Sequence, residues 1–219
     1  GKESNVLKYY RYQAIKYLVP KKKAKYKKAD MISIQLAGIM KTLLVKRIDS
    51  SFYAFKQSLK RYYQANKVML GMFEKGVIYI APNLKVNELL SEGKEDELIQ
   101  LIEEAQYTDP TIEICSPEDF EPAFKEGLED DGHILEELVE SWDKITYDPK
   151  LDIFINEYLK SKLFDKSINR EGKLVVFSES KETTKYLSDI LKANGFNRVL
   201  TVQSDNRNDK MPVLEANFD

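Results

Sequence analysis

Apolar positions recur at helical spacing along most of this chain and change to short continuous runs near its end. From residue 31 to 64, Ile32, Leu36, Ile39, Leu43, Leu44, Ile48, Phe52, Phe55, Leu59 and Tyr62 repeat at three- and four-residue spacing, which predicts a long helix with one apolar face. Val6, Tyr10, Ala14, Tyr17 and Leu18 predict a shorter helix that Pro20 ends. Val77–Ile80 reads as a short strand or a buried connector, residues 83–106 as two helices split at Gly93, and 107–114 as a loop turning at Asp109-Pro110. Ser116-Pro117-Glu118-Asp119 combines a capping Ser, a Pro at the first helical place and two acids, so a helix is expected from there through Ile145, with Gly127 and Gly132 as places where it breaks. Asp148-Pro149 repeats the cap-and-proline signal. Leu174-Val175-Val176-Phe177 is a continuous apolar run closed by Ser178. An amphipathic helix follows, then Gly195 as its stop, and Arg198–Val202 as a second apolar run. Strand, helix, strand within about thirty residues is a βαβ unit.

The expected fold class is therefore mostly α with a C-terminal α/β portion, and the boundary falls near Tyr147: residues 1–146 helical, 147–219 the βαβ part. With one such unit built and 219 residues used, the chain reads as a piece of a larger protein, as does its first residue, Gly1.

Charge changes this picture more than composition does. The totals nearly cancel, at 34 Lys and Arg against 36 Asp and Glu, but residues 1–63 hold 16 bases and 3 acids while residues 88–148 hold 3 bases and 21 acids. Either the basic part offers a face to an anionic partner or the two parts neutralise each other. The densest stretch, residues 21–28, has six lysines in eight positions and is expected as a loop or extended arm that contacts phosphates or pairs with the acids. Lys41, Lys46, Arg47, Lys56, Lys60 and Arg61 interleave the long apolar stripe and form a face able to track a nucleic-acid backbone. Cys115 is the lone cysteine and His133 the lone histidine, which excludes an intrachain disulfide and a zinc site of Cys and His ligands. The cysteine usage fits a cytoplasmic protein, and no apolar run reaches the roughly eighteen residues of a membrane span. Gly38-Ile39-Met40-Lys41-Thr42 lacks the spacing and the strand-turn context of a phosphate loop.

Two stretches together carry a family resemblance. Tyr147-Asp148-Pro149-Lys150-Leu151-Asp152, followed by Gly172–Thr183 with Lys173-Leu174-Val175-Val176-Phe177-Ser178, resembles the opening of the second RecA-like domain of Swi/Snf-type ATPases of helicase superfamily two. Leu43–Phe55, with Arg47-Ile48-Asp49-Ser50-Ser51, is similar to the inter-lobe helices of bacterial members. The resemblance covers about a third of the chain. It implies a truncated RecA-like unit preceded by a helical inter-lobe region with an acidic insertion. It also implies a parent that hydrolyses ATP with Mg²⁺ and moves on nucleic acid, double-stranded DNA held by its backbone, with the missing first motor lobe as a further partner. On the matching positions it names Ser178, Ser180 and Lys181, and on the helices Lys46, Arg47, Ser50, Ser51 and Lys56, as backbone-contact candidates; Ser178 or Ser180 serves equally as a helix cap. The sequence has no G-K-[ST] loop and no D-E-x-[HD] acid motif, so this piece is expected to carry no catalytic residue and no cofactor of its own. The alternative is a self-contained helical protein–protein interaction module.

Overall fold

A computed structural model describes residues 6–26, 28–80, 113–178, 181–204 and 206–218. The helices expected over 83–106, and Ser180, lie outside them. The described chain is mostly helical, with one small antiparallel sheet, and it divides into two compact units. The first comprises residues 1–46 and 56–144, and the second comprises residues 47–55 and 145–219.

In the first unit a 3₁₀ helix, Tyr10–Tyr17, leads to the single helical turn α1, Pro20–Lys23. The long helix is two helices, α2 (Ala29–Ser50) and α3 (Phe52–Lys75), interrupted at Ser51. Gly76, in the left-handed region at φ 75°, ends α3 and turns the chain into β1, Ile78–Ile80. β1 pairs antiparallel with β2, Glu113–Cys115, with Ile78 opposite Cys115 and Ile80 opposite Glu113. The expected loop therefore ends in a strand. Its burial alternates as the pleat demands: Ile78, Ile80 and Cys115 are buried, while Ile114 points outward.

Ser116 opens only a 3₁₀ turn, Pro117–Asp119, closed by a capping box in which the Asp119 carboxylate accepts the Ser116 main-chain N–H at 2.8 Å. The long helix α4 starts at Pro122 and runs to Asp143 without a break. Its two glycines are contact points: a Cβ on Gly127 would meet the Tyr10 ring at 2.4 Å, and one on Gly132 would lie 3.0 Å from the Asn66 side-chain nitrogen. Both mark close approach by a neighbour. α4 runs antiparallel to α3: Lys60 pairs with Asp143 at 2.9 Å, Tyr63 donates to Glu136, and Asn66 donates to the Leu128 carbonyl at 2.8 Å.

The core of this unit gathers Leu18, Met69, Met72, Phe73, Ile78, Cys115, Phe120, Phe124 and Leu128. Phe120 and Phe124 stack with centroids 5.0 Å apart, and Tyr17 covers Phe124 at 5.5 Å. On the other side of α3, Tyr62 takes Tyr9 on its ring edge at 6.2 Å and donates its hydroxyl to the Met40 carbonyl.

The second unit contains the α2–α3 turn, a helical turn α5 (Pro149–Asp152) that continues as a wider π turn over Ile153–Leu159, helix α6 (Lys181–Ala193) and helix α7 (Arg207–Phe218). Gly195, at φ 88°, stops the chain after α6, where a glycine stop is expected. The parallel strands of the expected βαβ unit are not formed. Leu174–Ser178 and Arg198–Val202 are neither helix nor strand, and Val175, Val176 and Leu200 are about half exposed, Phe177 91% exposed. Parallel strands persist where both faces are covered, and here these side chains are at most partly covered.

Candidate nucleic-acid interface

The second unit brings together five of the eight candidate residues: Arg47, Ser50, Ser51, Ser178 and Lys181. Lys46 and Lys56 belong to the first unit.

The turn at Ser50-Ser51 organises the second unit. Ser51 is 7% exposed, and its hydroxyl oxygen accepts the Ala54 N–H at 3.0 Å, capping the first turn of α3. The Ser50 and Ser51 hydroxyls both lie against that of Thr183, at 2.8 and 3.1 Å, which fastens the first turn of α6 to this turn. Asp148 does two jobs at once. One carboxylate oxygen caps α5 by accepting the Leu151 N–H at 3.2 Å, and the other accepts the Phe52 N–H, the first of α3, at 3.3 Å. Lys150 donates its ammonium to the Asp49 carbonyl, one of the last of α2. The Asp-Pro-Lys segment therefore satisfies a donor at the start of α3 and an acceptor at the end of α2. Tyr53 stacks flat on Tyr186, with centroids 4.4 Å apart and planes 5° from parallel. Burial pushes the Tyr186 hydroxyl above its ordinary value, and the charge of Asp148 adds to this.

These contacts occupy much of what the candidates offer. The Ser50 and Ser51 hydroxyls are used inside the protein. Arg47 is drawn toward Glu182, at 3.9 Å, with its side chain 11% exposed. Ser178 and Lys181 are exposed, and Lys181 stands at the first position of α6, where a helix N-terminus favours anions. Glu182, one residue on, opposes a phosphate there.

Of the lysine block, in the first unit, Lys21–Lys23 lie in the helical turn α1, and three of the block's charges meet acids. Lys22 pairs with Asp119 at 2.6 Å, Lys23 with Asp30 at 2.6 Å and Lys25 with Glu113 at 3.2 Å. Hydrogen bonding to Lys22, then to the Ser116 main chain, holds the Asp119 carboxyl below its ordinary value, and Asp119 in turn raises Lys22. His133 is exposed on α4. Cys115 is buried, and that burial pushes its thiol up, away from the reactive thiolate.

Residues that the sequence reading missed hold the arrangement together: Thr183, and Asp148 and Lys150 in their second roles. Asp148-Pro149 signals a local cap, but Phe52 lies 96 residues away, so nothing in the local pattern reveals the second acceptor role. Among the described residues no helix is long and apolar enough to cross a membrane. No protein-family model, curated protein or solved structure matches this chain.

Proposed function

We propose that this chain is the inter-lobe part and the opening of the second motor lobe of a Swi/Snf-type DNA translocase, contributing contact with the nucleic-acid backbone and no catalysis of its own. The observation that carries this reading is the Asp148 carboxylate taking both the Leu151 and the Phe52 N–H: the two stretches that resemble that family, far apart in sequence, meet at one residue. Lys181, exposed at the head of α6 in the same unit, is the cation offered to a phosphate. Fluorescence anisotropy with a labelled duplex of arbitrary sequence tests the reading. Weak binding that falls steeply with salt is expected, and Lys181→Ala should reduce the slope of log affinity against log salt by about 1. Binding that ignores salt, or no binding at all, contradicts it. Reading the adjoining coding sequence is a second test, since a phosphate loop upstream and an arginine-bearing motif downstream are required.

One observation favours the other reading, a helical interaction module. Lys22 and Lys25 pair with Asp119 and Glu113 within the first unit, so two charges of the lysine block meet the acidic stretch there. Under that reading, replacing these lysines lowers stability and leaves DNA binding unchanged.

A further inference from the structure

Asn194-Gly195 is the one Asn-Gly pair in the sequence. Asparagine is chemically labile, and most so before glycine, because no side chain there shields the following main-chain nitrogen. That nitrogen can attack the carbonyl carbon of the Asn194 side chain. A C–N bond forms, the bond to the side-chain amide nitrogen breaks, and ammonia leaves with the proton that the Gly195 nitrogen gives up. Water then opens the cyclic imide at one carbonyl or the other, leaving aspartate or its isomer with the main chain rerouted through the side chain. Asp131-Gly132 is the one other place where the same attack is possible, but it lies in the middle of α4, with the carboxylate buried and bonded to the Lys8 and Tyr10 N–H groups.

Asn194 and Gly195 instead follow the last turn of α6 and are exposed, and helix ends open more readily than helix middles. In the closed helix end both reacting groups are held. Gly195, at φ 88°, donates its N–H to the Lys192 carbonyl at 3.0 Å, and the Phe196 N–H reaches the Leu191 carbonyl at 3.0 Å. These are the two bonds of a Schellman motif. The Asn194 side-chain amide is drawn back along the helix and donates to the Ile190 carbonyl at 3.0 Å. The attacking nitrogen and its target are therefore tied to different carbonyls. Phe196 stacks on Phe164, with centroids 6.2 Å apart, which anchors the motif within the second unit. We propose that Asn194 is a site of spontaneous deamidation that the C-terminal cap of α6 holds shut, and that it reacts when the last turn of α6 opens. The change runs one way. It replaces a donor to the Ile190 carbonyl with a carboxylate at a helix C-terminus, where negative charge is repelled, so the cap is weaker afterwards.

Peptide mapping by mass spectrometry tests this on the full chain, aged at mildly alkaline pH either folded in buffer or unfolded in guanidinium. In the unfolded chain Asn194 should convert ahead of every other asparagine. In the folded chain it should convert at least about tenfold more slowly. Asn194→Asp reproduces one product and should speed amide exchange at Gly195 and Phe196 by roughly threefold to tenfold, while Phe124–Leu128 in the first unit exchange as before. An Asn194 that stays intact when unfolded, another asparagine that converts first, or a smaller difference between folded and unfolded rates would overturn the proposal. So would unchanged exchange at Gly195 and Phe196 in Asn194→Asp.

Discussion

The two units of this chain are held by different forces. In the first, aromatic and aliphatic side chains from the 3₁₀ helix, α3, β1, β2 and α4 close on one another, and Leu18, Ile78, Phe124 and Leu128 are fully buried. In the second, few large side chains are buried, chiefly Phe55, Ile155 and Leu159, and Ile153, Tyr158, Phe164, Ile168 and Phe177 stand exposed. There the helix ends are joined by side-chain caps at Ser51, Asp148, Lys150 and Thr183. Apolar burial scales with area and tolerates small shifts, whereas a capping bond depends on a few tenths of an ångström. The first unit should therefore be the more stable, and the second the one that a single polar substitution opens.

The largest effect is expected at Phe124. Phe124→Ala removes a fully buried ring from a three-ring stack and should cost about 3–5 kcal/mol, read as a fall in the urea midpoint. Next, Gly127→Ala drives a methyl into the Tyr10 ring and should cost about 1–3 kcal/mol by the same measurement; full recovery in a Gly127→Ala, Tyr10→Ala double variant would identify the ring as the cause. In the second unit, Ser51→Ala removes the cap of α3 and should cost about 1 kcal/mol, confined to that unit when hydrogen exchange is followed residue by residue.

The smallest effects come from two acids of the first unit whose pH dependences run in opposite directions. Asp119, held low by Lys22, contributes stability that is present above the ordinary carboxylate range and lost as pH falls through its depressed value. Asp119→Asn should cost about 1 kcal/mol or less near neutral pH, and still less in high salt. Asp131 is 2% exposed. Its carboxylate accepts the Lys8 and Tyr10 N–H groups at 2.8 and 2.7 Å and holds the chain where Tyr9 takes the left-handed φ of 60°. Burial nevertheless raises its carboxyl above the ordinary value, and Tyr9 beside it is pushed up to about 12 by burial and by that charge. With the folded value raised, the Asp131 contribution is fully present at low pH and declines as pH climbs through the raised value. Wild-type stability relative to Asp131→Asn should therefore fall over that interval, the reverse of Asp119. Thermal unfolding across pH 3–7 separates the two.

How much was legible in the sequence follows the same division. Helical spacing over 31–64 marked α2 and the first half of α3, and over 116–145 it marked α4, because apolar faces that pack against a core are what write such periodicity; the rest of α3, to Lys75, was not read from it. It did not show the break at Ser51, since the stripe from Ile48 to Phe52 keeps helical spacing across it and the cause of the break is the cap on Ala54. Gly127 and Gly132 looked like breaks because the local pattern carries no record of Tyr10 and Asn66, which need the space. The acids and lysines were visible, but not which would meet. Leu174–Phe177 reads as a strand from composition alone, and strand formation also requires a neighbour. Of the candidate site, Ser50 and Ser51 were named through the resemblance as backbone contacts, whereas their hydroxyls lie against that of Thr183; no local pattern links residues so far apart in sequence.

Asp148 fastens the second unit by holding the N–H groups of both Phe52 and Leu151. Amide hydrogen exchange on the wild type and on Asp148→Ala tests it most directly. Protection should fall by roughly tenfold at Phe52, Leu151 and the first turn of α6, while Met69–Phe73 and Phe124–Leu128 in the first unit exchange as before. Unchanged protection around Phe52 and Leu151, or a uniform loss in both units, would contradict it.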